Sequence, residues 1–184
     1  MSANPPLDIE VLMERIRGEV TRRRKSTVPE LLPEPSRAYT PGTLLRFGTS
    51  GNASQYTVYG WSHPEEAYQW TDGDHAELMF VLEKPPGDLV LSFTAQPLIG
   101  GGVDAQEVSV SWNGSLVGEW SVHEAKSYHT IVLSHICANS TPALLRFDLP
   151  RSFSPLSKQL SGDSRRLGLA FQELVLRPAS ELGL

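Results

Sequence analysis

The chain has 184 residues, 40% of them hydrophobic and 20% charged, and a net charge of −5 at pH 7. This balance describes a globular protein with one sizeable core and room for an appendage. The acid excess argues against nucleic-acid binding, which needs a surplus of Lys and Arg to neutralise phosphate, and the single cysteine, Cys137, excludes an intrachain disulfide.

The N-terminus, MSANPPLDIE, has neither the basic start nor the apolar stretch of a secretory signal. No run approaches the ~18 apolar residues of a membrane span. The expected compartment is therefore the cytoplasm, with no membrane span. Within residues 1–25, the segment 7–25 is an amphipathic helix candidate. Ile9, Leu12, Met13, Ile16 and Val20 recur at three- and four-residue steps and make one apolar stripe. Asp8 stands at the N-cap position, and Arg22, Arg23, Arg24 and Lys25 close the segment, matching the helix dipole. Gly18 weakens it by roughly 1 kcal/mol relative to Ala. A helix this short is marginal alone in water, so its stripe calls for a partner.

Residues 26–42 hold four prolines and little periodicity, which reads as a semi-extended linker. The pattern turns to β from residue 43, with a domain expected over 43–178 and a tail over 179–184. Eight strand candidates cover 43–48, 76–83, 88–95, 106–112, 116–122, 129–136, 143–149 and 167–177. Val108, Val110 and Trp112 alternate cleanly with Glu107, Ser109 and Ser111. Asn113-Gly114 is the strongest hairpin signal in the chain. Eight strands without intervening helices predict an all-β, two-sheet antiparallel sandwich of jelly-roll type, preceded by the N-terminal amphipathic helix. Cys137, in an apolar run, reads as a buried structural thiol.

The loop 49–73 is too long for a minimal sandwich. It carries Tyr56, Tyr59, Trp61, Tyr68 and Trp70, so it is expected to fold back onto the sheets. Gly100-Gly101-Gly102 lacks the Lys-Ser/Thr of a phosphate loop. No nucleophile elbow accompanies the serines and histidines.

The order GWSHPE, QWTDGDHAELMF, QEVSVSWNGSLVGEW and SPLSKQLSGDSRRLGLAFQELVL resembles small β-sandwich modules attached to glycosyltransferases and related membrane enzymes of bacterial surface-polysaccharide (O-antigen or capsule) biosynthesis. Those modules look like carbohydrate-binding modules. LDIEVLMERIRGEVTRRR looks like the leader helix of glycosyltransferases and methyltransferases from O-antigen gene clusters. The resemblance implies a lectin-like accessory protein for a glycan, with a glycosyltransferase or other polysaccharide-assembly protein as partner through residues 7–25. No catalytic domain of those enzymes accompanies the module in this sequence, so chemistry is expected in a partner.

Trp61 and Trp70 are the expected aromatic surface, since an indole face stacks on the C–H face of a sugar ring; the alternative is that they pin the loop. Trp112 and Trp120, in strands, are expected in the core. His63, Glu65 and Asp72 join the ligand-binding set, because carboxylates accept hydrogen bonds from sugar hydroxyls. The resemblance pairs Glu65 with Arg165 or Arg166, and these arginines are also open to Asp163 or to an anionic sugar. Two carboxylates also suit a glycoside hydrolase or lyase, and a purely structural protein assembling through its helix is the other alternative. No cofactor or metal ligand set is expected. Structural calcium at TDGDHAE enters only by analogy with carbohydrate modules, since the spacing is not that of a calcium hand.

Overall fold

The computed structural model describes residues 37–82, 87–137 and 142–183. The expected helix over 7–25, and the linker up to residue 36, lie outside the described residues. Eleven strands follow in chain order among the described residues: β1 (Ala38–Tyr39), β2 (Leu45–Arg46), β3 (Thr57–Tyr59), β4 (Gln69–Asp72), β5 (His75–Leu82), β6 (Leu89–Pro97), β7 (Gln106–Trp112), β8 (Ser115–Val122), β9 (Lys126–Val132), β10 (Ala143–Asp148) and β11 (Leu167–Pro178).

They form two sheets. One has the order β1-β5-β10-β7-β8, with β3 also on β5; the other has the order β2-β11-β6-β9, with β4 also on β11. The parallel β1–β5 pair is short, and the other ladders are antiparallel. The all-β sandwich expected from the sequence is the fold. Period-two patterning produces it: on β5 Ala76, Leu78, Phe80 and Leu82 are buried while His75, Glu77, Met79 and Val81 are less so. Phe93, Phe147 and Phe171 meet between the sheets with ring centroids 4.9 to 5.5 Å apart. Trp112 is fully buried, and Trp120 packs edge-on against Phe93 at 5.4 Å, so both belong to the core as expected.

The hairpin at Asn113-Gly114 has φ of 49° and 82°, the two left-handed residues that a type I′ turn requires. Asn113 Oδ1 also accepts the Leu144 N–H at 2.7 Å.

Several boundaries shift by one to three residues from the sequence reading, and three differences have a clear physical cause. The strand expected over 129–136 ends at Val132, where its partner β6 begins at Leu89. Beyond that point there is no ladder to extend, and Asp88 Oδ1 accepts the Ser134 N–H at 2.7 Å to start the helical turn Ser134–Cys137. Cys137 is buried there, with its thiol pushed up to about 11 by desolvation, then by Asp88. The first sheet also takes in Ala38–Tyr39, inside the stretch read as linker. Tyr39 is buried, its oxygen accepts the Leu176 N–H at 2.9 Å, and its hydroxyl donates to the Thr43 carbonyl at 2.6 Å. Burial raises this phenol to about 12. The 43–48 strand contracts to β2, since its ladder to β11 holds only at Leu45 and Arg46.

Candidate functional site

The loop 49–73 does fold back onto the sandwich. It contributes β3 to the edge of β5 and β4 to the edge of β11, splitting its aromatics between two environments. Trp61 points inward. Its ring stacks on Phe47 at 5.0 Å, meets Phe171 edge-on at 5.2 Å, and its indole N–H donates to the Glu77 carbonyl at 2.9 Å. Of the two roles weighed for Trp61, these contacts favour a pin between loop and core over an open sugar platform. An indole with both packing and its polar tip satisfied has little face left for a ligand.

Trp70 is different. It sits on β4 opposite Ala170 of β11, alternating with the buried Gln69 and Thr71, so it stands half-buried on the outer face of the five-stranded sheet. Tyr68 meets it edge-on at 6.1 Å. Glu65 and Trp70 both act on the Tyr68 phenol, in opposite directions. The Glu65 bond is the main reason the Tyr68 phenol is pushed above its ordinary value.

The turn carrying Glu65 and Tyr68 is closed by the Glu65 N–H to the Tyr68 carbonyl at 2.8 Å. It is tied to the preceding loop by the Thr49 N–H to the Glu65 carbonyl, also 2.8 Å. Gly48 permits this approach: a Cβ there would lie 2.3 Å from the Glu66 carbonyl oxygen. On the other side, the loop after β10 brings Arg165. Its guanidinium forks onto Asp163, with Nε 3.1 Å from both carboxylate oxygens and one terminal nitrogen 2.6 Å from Oδ2. It also reaches Glu65 at 3.7 Å. The Asp163 fork raises the Arg165 pKa, and the same hydrogen bond holds the Asp163 carboxyl below its ordinary range. Asp72 faces the same region, its Oδ1 accepting the Arg166 backbone N–H at 3.0 Å.

The structure therefore brings Glu65, Trp70, Asp72 and Arg165 of the sequence-derived set together, with Tyr68 and Asp163. It does not bring in Trp61. Arg166 turns away, its Nε donating to Ser152 Oγ at 2.9 Å, and His63 is exposed. Glu65 pairs with Arg165 rather than Arg166. Tyr68 was counted only among the loop's aromatics; its position two residues before Trp70 in a strand-like segment was the signal for a shared face.

One cavity opens beside the 65–68 turn, and a second shares Glu173 with it. The first, of 330 Å³, lies between the 65–68 turn and β2/β11, with Gln172 and Glu173 in its wall. The second, of 190 Å³, crosses the outer face towards β9 and includes Glu173, Thr94, Ser127 and His129. A cavity of 380 Å³ on the opposite sheet is walled by Glu107, Ser109, Glu119, Trp120, Ser121 and Pro150; apart from Trp120, which was expected in the core, it holds none of the residues singled out from the sequence. Among the described residues no group of three or more His, Cys, Asp or Glu is arranged to hold a metal ion. In TDGDHAE, Asp74 Oδ1 lies 2.7 Å from His75 Nδ1, and Asp72 is engaged by Arg166. No described helix is long and apolar enough to cross a membrane.

No protein-family model matches the chain, and no curated protein matches it in sequence. Solved structures similar to it include the C-terminal family 6 carbohydrate-binding module of a marine laminarinase from Zobellia galactanivorans, at 9% identity and a TM-score of 0.45, covering 74% of this chain and 98% of that one. A family 35 carbohydrate-binding module from Clostridium thermocellum aligns at 9% identity and a TM-score of 0.40, over 72% of this chain and 98% of that one. A family 115 4-O-methyl-alpha-glucuronidase with specificity for decorated arabinogalactans aligns at 10% identity and 0.44, over 82% of this chain and 19% of that one.

Proposed function

We propose that this protein is a non-catalytic carbohydrate-binding module for a bacterial surface polysaccharide or its precursor, accessory to a glycan-biosynthesis enzyme. The observation that carries the reading is the edge-on Tyr68–Trp70 pair on a sheet edge, beside Glu65, Asp72, Asp163 and Arg165. A fixed, half-open indole offers a stacking face to a sugar ring, and the surrounding carboxylates accept hydrogen bonds from its hydroxyls. Pre-ordered side chains lower the entropy cost of binding. The carboxylates are committed to Tyr68, to the Arg166 N–H and to Arg165, and Asp163 is pushed away from the raised pKa that a general acid requires. That commitment supports holding a glycan rather than cleaving it. The partner and compartment belonging to this reading are a polysaccharide-assembly enzyme, met through residues 7–25, and the cytoplasm.

An array of bacterial surface glycans, probed with the wild-type protein and with Trp70→Ala, tests it. The expected result is saturable binding that Trp70→Ala loses while its thermal unfolding stays cooperative. Silence of the wild type across the array contradicts the reading and moves the function to assembly through residues 7–25.

A further inference from the structure

The outer face of the five-stranded sheet carries more than the aromatic edge. Ladder partners in an antiparallel sheet share a face, so register assigns faces directly. Trp70 stands opposite Ala170, and Ala170 opposite Gln96; the next outward set on β11 and β6 is Glu173 with Thr94, which in turn stands opposite Ser127 on β9. Phe171, Leu174 and Phe93 point the other way, into the core. Between Phe171 and Glu173 the ladder shifts by a bulge, and Gln172 and Glu173 are both half-exposed in succession. A bulge inserts an extra residue and re-aims side chains, which here doubles the polar groups at one point of the face. Glu173 is a wall of both the 330 Å³ and the 190 Å³ cavities, so the two are neighbouring sections of one trough.

The trough crosses the strands. It starts beside the 65–68 turn that holds Tyr68 and Glu65 and ends at Ser127 and His129 on the far edge strand. Three strand spacings from β2 to β9 give it about 14 Å of length. No aromatic side chain walls it: Phe93 touches the 190 Å³ cavity, but its ring lies in the core. Its neutral polar lining is hydroxyl, amide and imidazole, with Thr94 Oγ1 2.8 Å from Ser127 Oγ and His129 Nδ1 2.7 Å from Ser92 Oγ. Its charges balance in number: Arg46 lies 3.6 Å from Glu173, Arg177 lines one section and Glu66 the other. At the aromatic edge the acids Glu65, Asp72 and Asp163 outnumber Arg165, whose fork is already taken by Asp163.

We infer that the trough extends the Trp70 edge into a site for an internal stretch of a neutral polysaccharide, laid across the strands of the five-stranded sheet. This rests on the carbohydrate-binding reading and adds to it an orientation, a length and a charge class. One ring stacks at Trp70, and the following residues of the chain exchange hydrogen bonds with Glu173, Thr94 and Ser127. A uronic-acid polymer meets uncompensated carboxylates at the edge and is disfavoured.

The test is a length series in calorimetry with the full chain. The probes are di- and hexasaccharides of α-1,6-, β-1,4- and β-1,3-linked glucose, with an alginate hexasaccharide as the acidic counterpart. Where the glycan array selects another polymer, its own di- and hexasaccharide replace them. The expected result is a hexasaccharide bound at least tenfold more tightly than its disaccharide, with no alginate binding. Ser127→Trp, at an exposed position on the far strand, removes that gain and leaves disaccharide affinity unchanged; Glu173→Gln reduces the gain without bulk. Equal affinity for the two lengths, with Trp70→Ala abolishing both, overturns the trough while leaving the carbohydrate-binding reading intact. Preferred binding of alginate overturns the charge class. Absence of binding in every series and on the array overturns both readings.

Discussion

Trp61 and Trp70 come from the same loop, flank the same turn and meet opposite fates. Trp61 is stacked on Phe47, edge-on to Phe171 and hydrogen-bonded to the Glu77 carbonyl. Trp70 stands on the outer face of the sheet, its neighbours Tyr68 and Ala170, in reach of Glu65 through Tyr68. The difference follows from where each falls in its local ladder. Trp61 forms a single bridge to Thr71 ahead of β4, while Trp70 lies within β4, where alternation sends it outward and sends Gln69 and Thr71 inward. Composition marks both residues as aromatic loop residues; only register separates an anchor from a platform.

That contrast is open to attack by substitution. Trp61→Ala should have the largest effect on stability, roughly 3 kcal/mol in urea unfolding, because it removes packing on two core phenylalanines and a satisfied indole N–H. Glycan affinity of the folded fraction should be unaffected, and a parallel loss of affinity would erase the distinction. Gly48→Ala should come next, about 2 kcal/mol, since the new Cβ must push the Glu66 carbonyl away from 2.3 Å. It should cost affinity too, because the displaced turn carries Glu65 and Tyr68; unchanged affinity would mean that the turn does not position the site. Trp70→Ala should take glycan binding below detection on the array, a loss of at least tenfold or about 1.4 kcal/mol, with a smaller loss in unfolding free energy than Trp61→Ala.

The smallest effect belongs to Asp163→Asn. The carboxyl is solvent-exposed enough that its fork with Arg165 should contribute less than about 1 kcal/mol. Its folded pKa lies below the ordinary 3.8, so the contribution is present above that value and is lost as pH falls through the folded pKa. Wild type and Asp163→Asn should therefore differ at neutral pH and converge in acid. A gap that widens on acidification would contradict the assigned cause.

The sandwich was legible because its strands alternate. All eight candidate strands have counterparts, and Asn113-Gly114 makes the turn that its residue types demand. β1 and β3 were not legible, since two or three residues cannot display a period. The helical turn at Ser134–Cys137 was hidden by an apolar run that reads equally well as strand; what ends the strand is the start of its partner at Leu89, a long-range fact. At the candidate site, the association of Glu65 with Arg165 could be anticipated only through resemblance, because 100 residues of chain separate them. The role of Glu173 in joining two cavities depends on the bulge at Gln172, which no sequence pattern announced.

The most direct test of the account follows the indole N–H signals of Trp61, Trp70, Trp112 and Trp120 by NMR while a glycan selected on the array is titrated in. The account predicts that the Trp70 signal shifts with saturation and that the three core-packed indoles stay in place. Saturable movement at Trp120, beside the opposite sheet's 380 Å³ cavity, with Trp70 still, would contradict it.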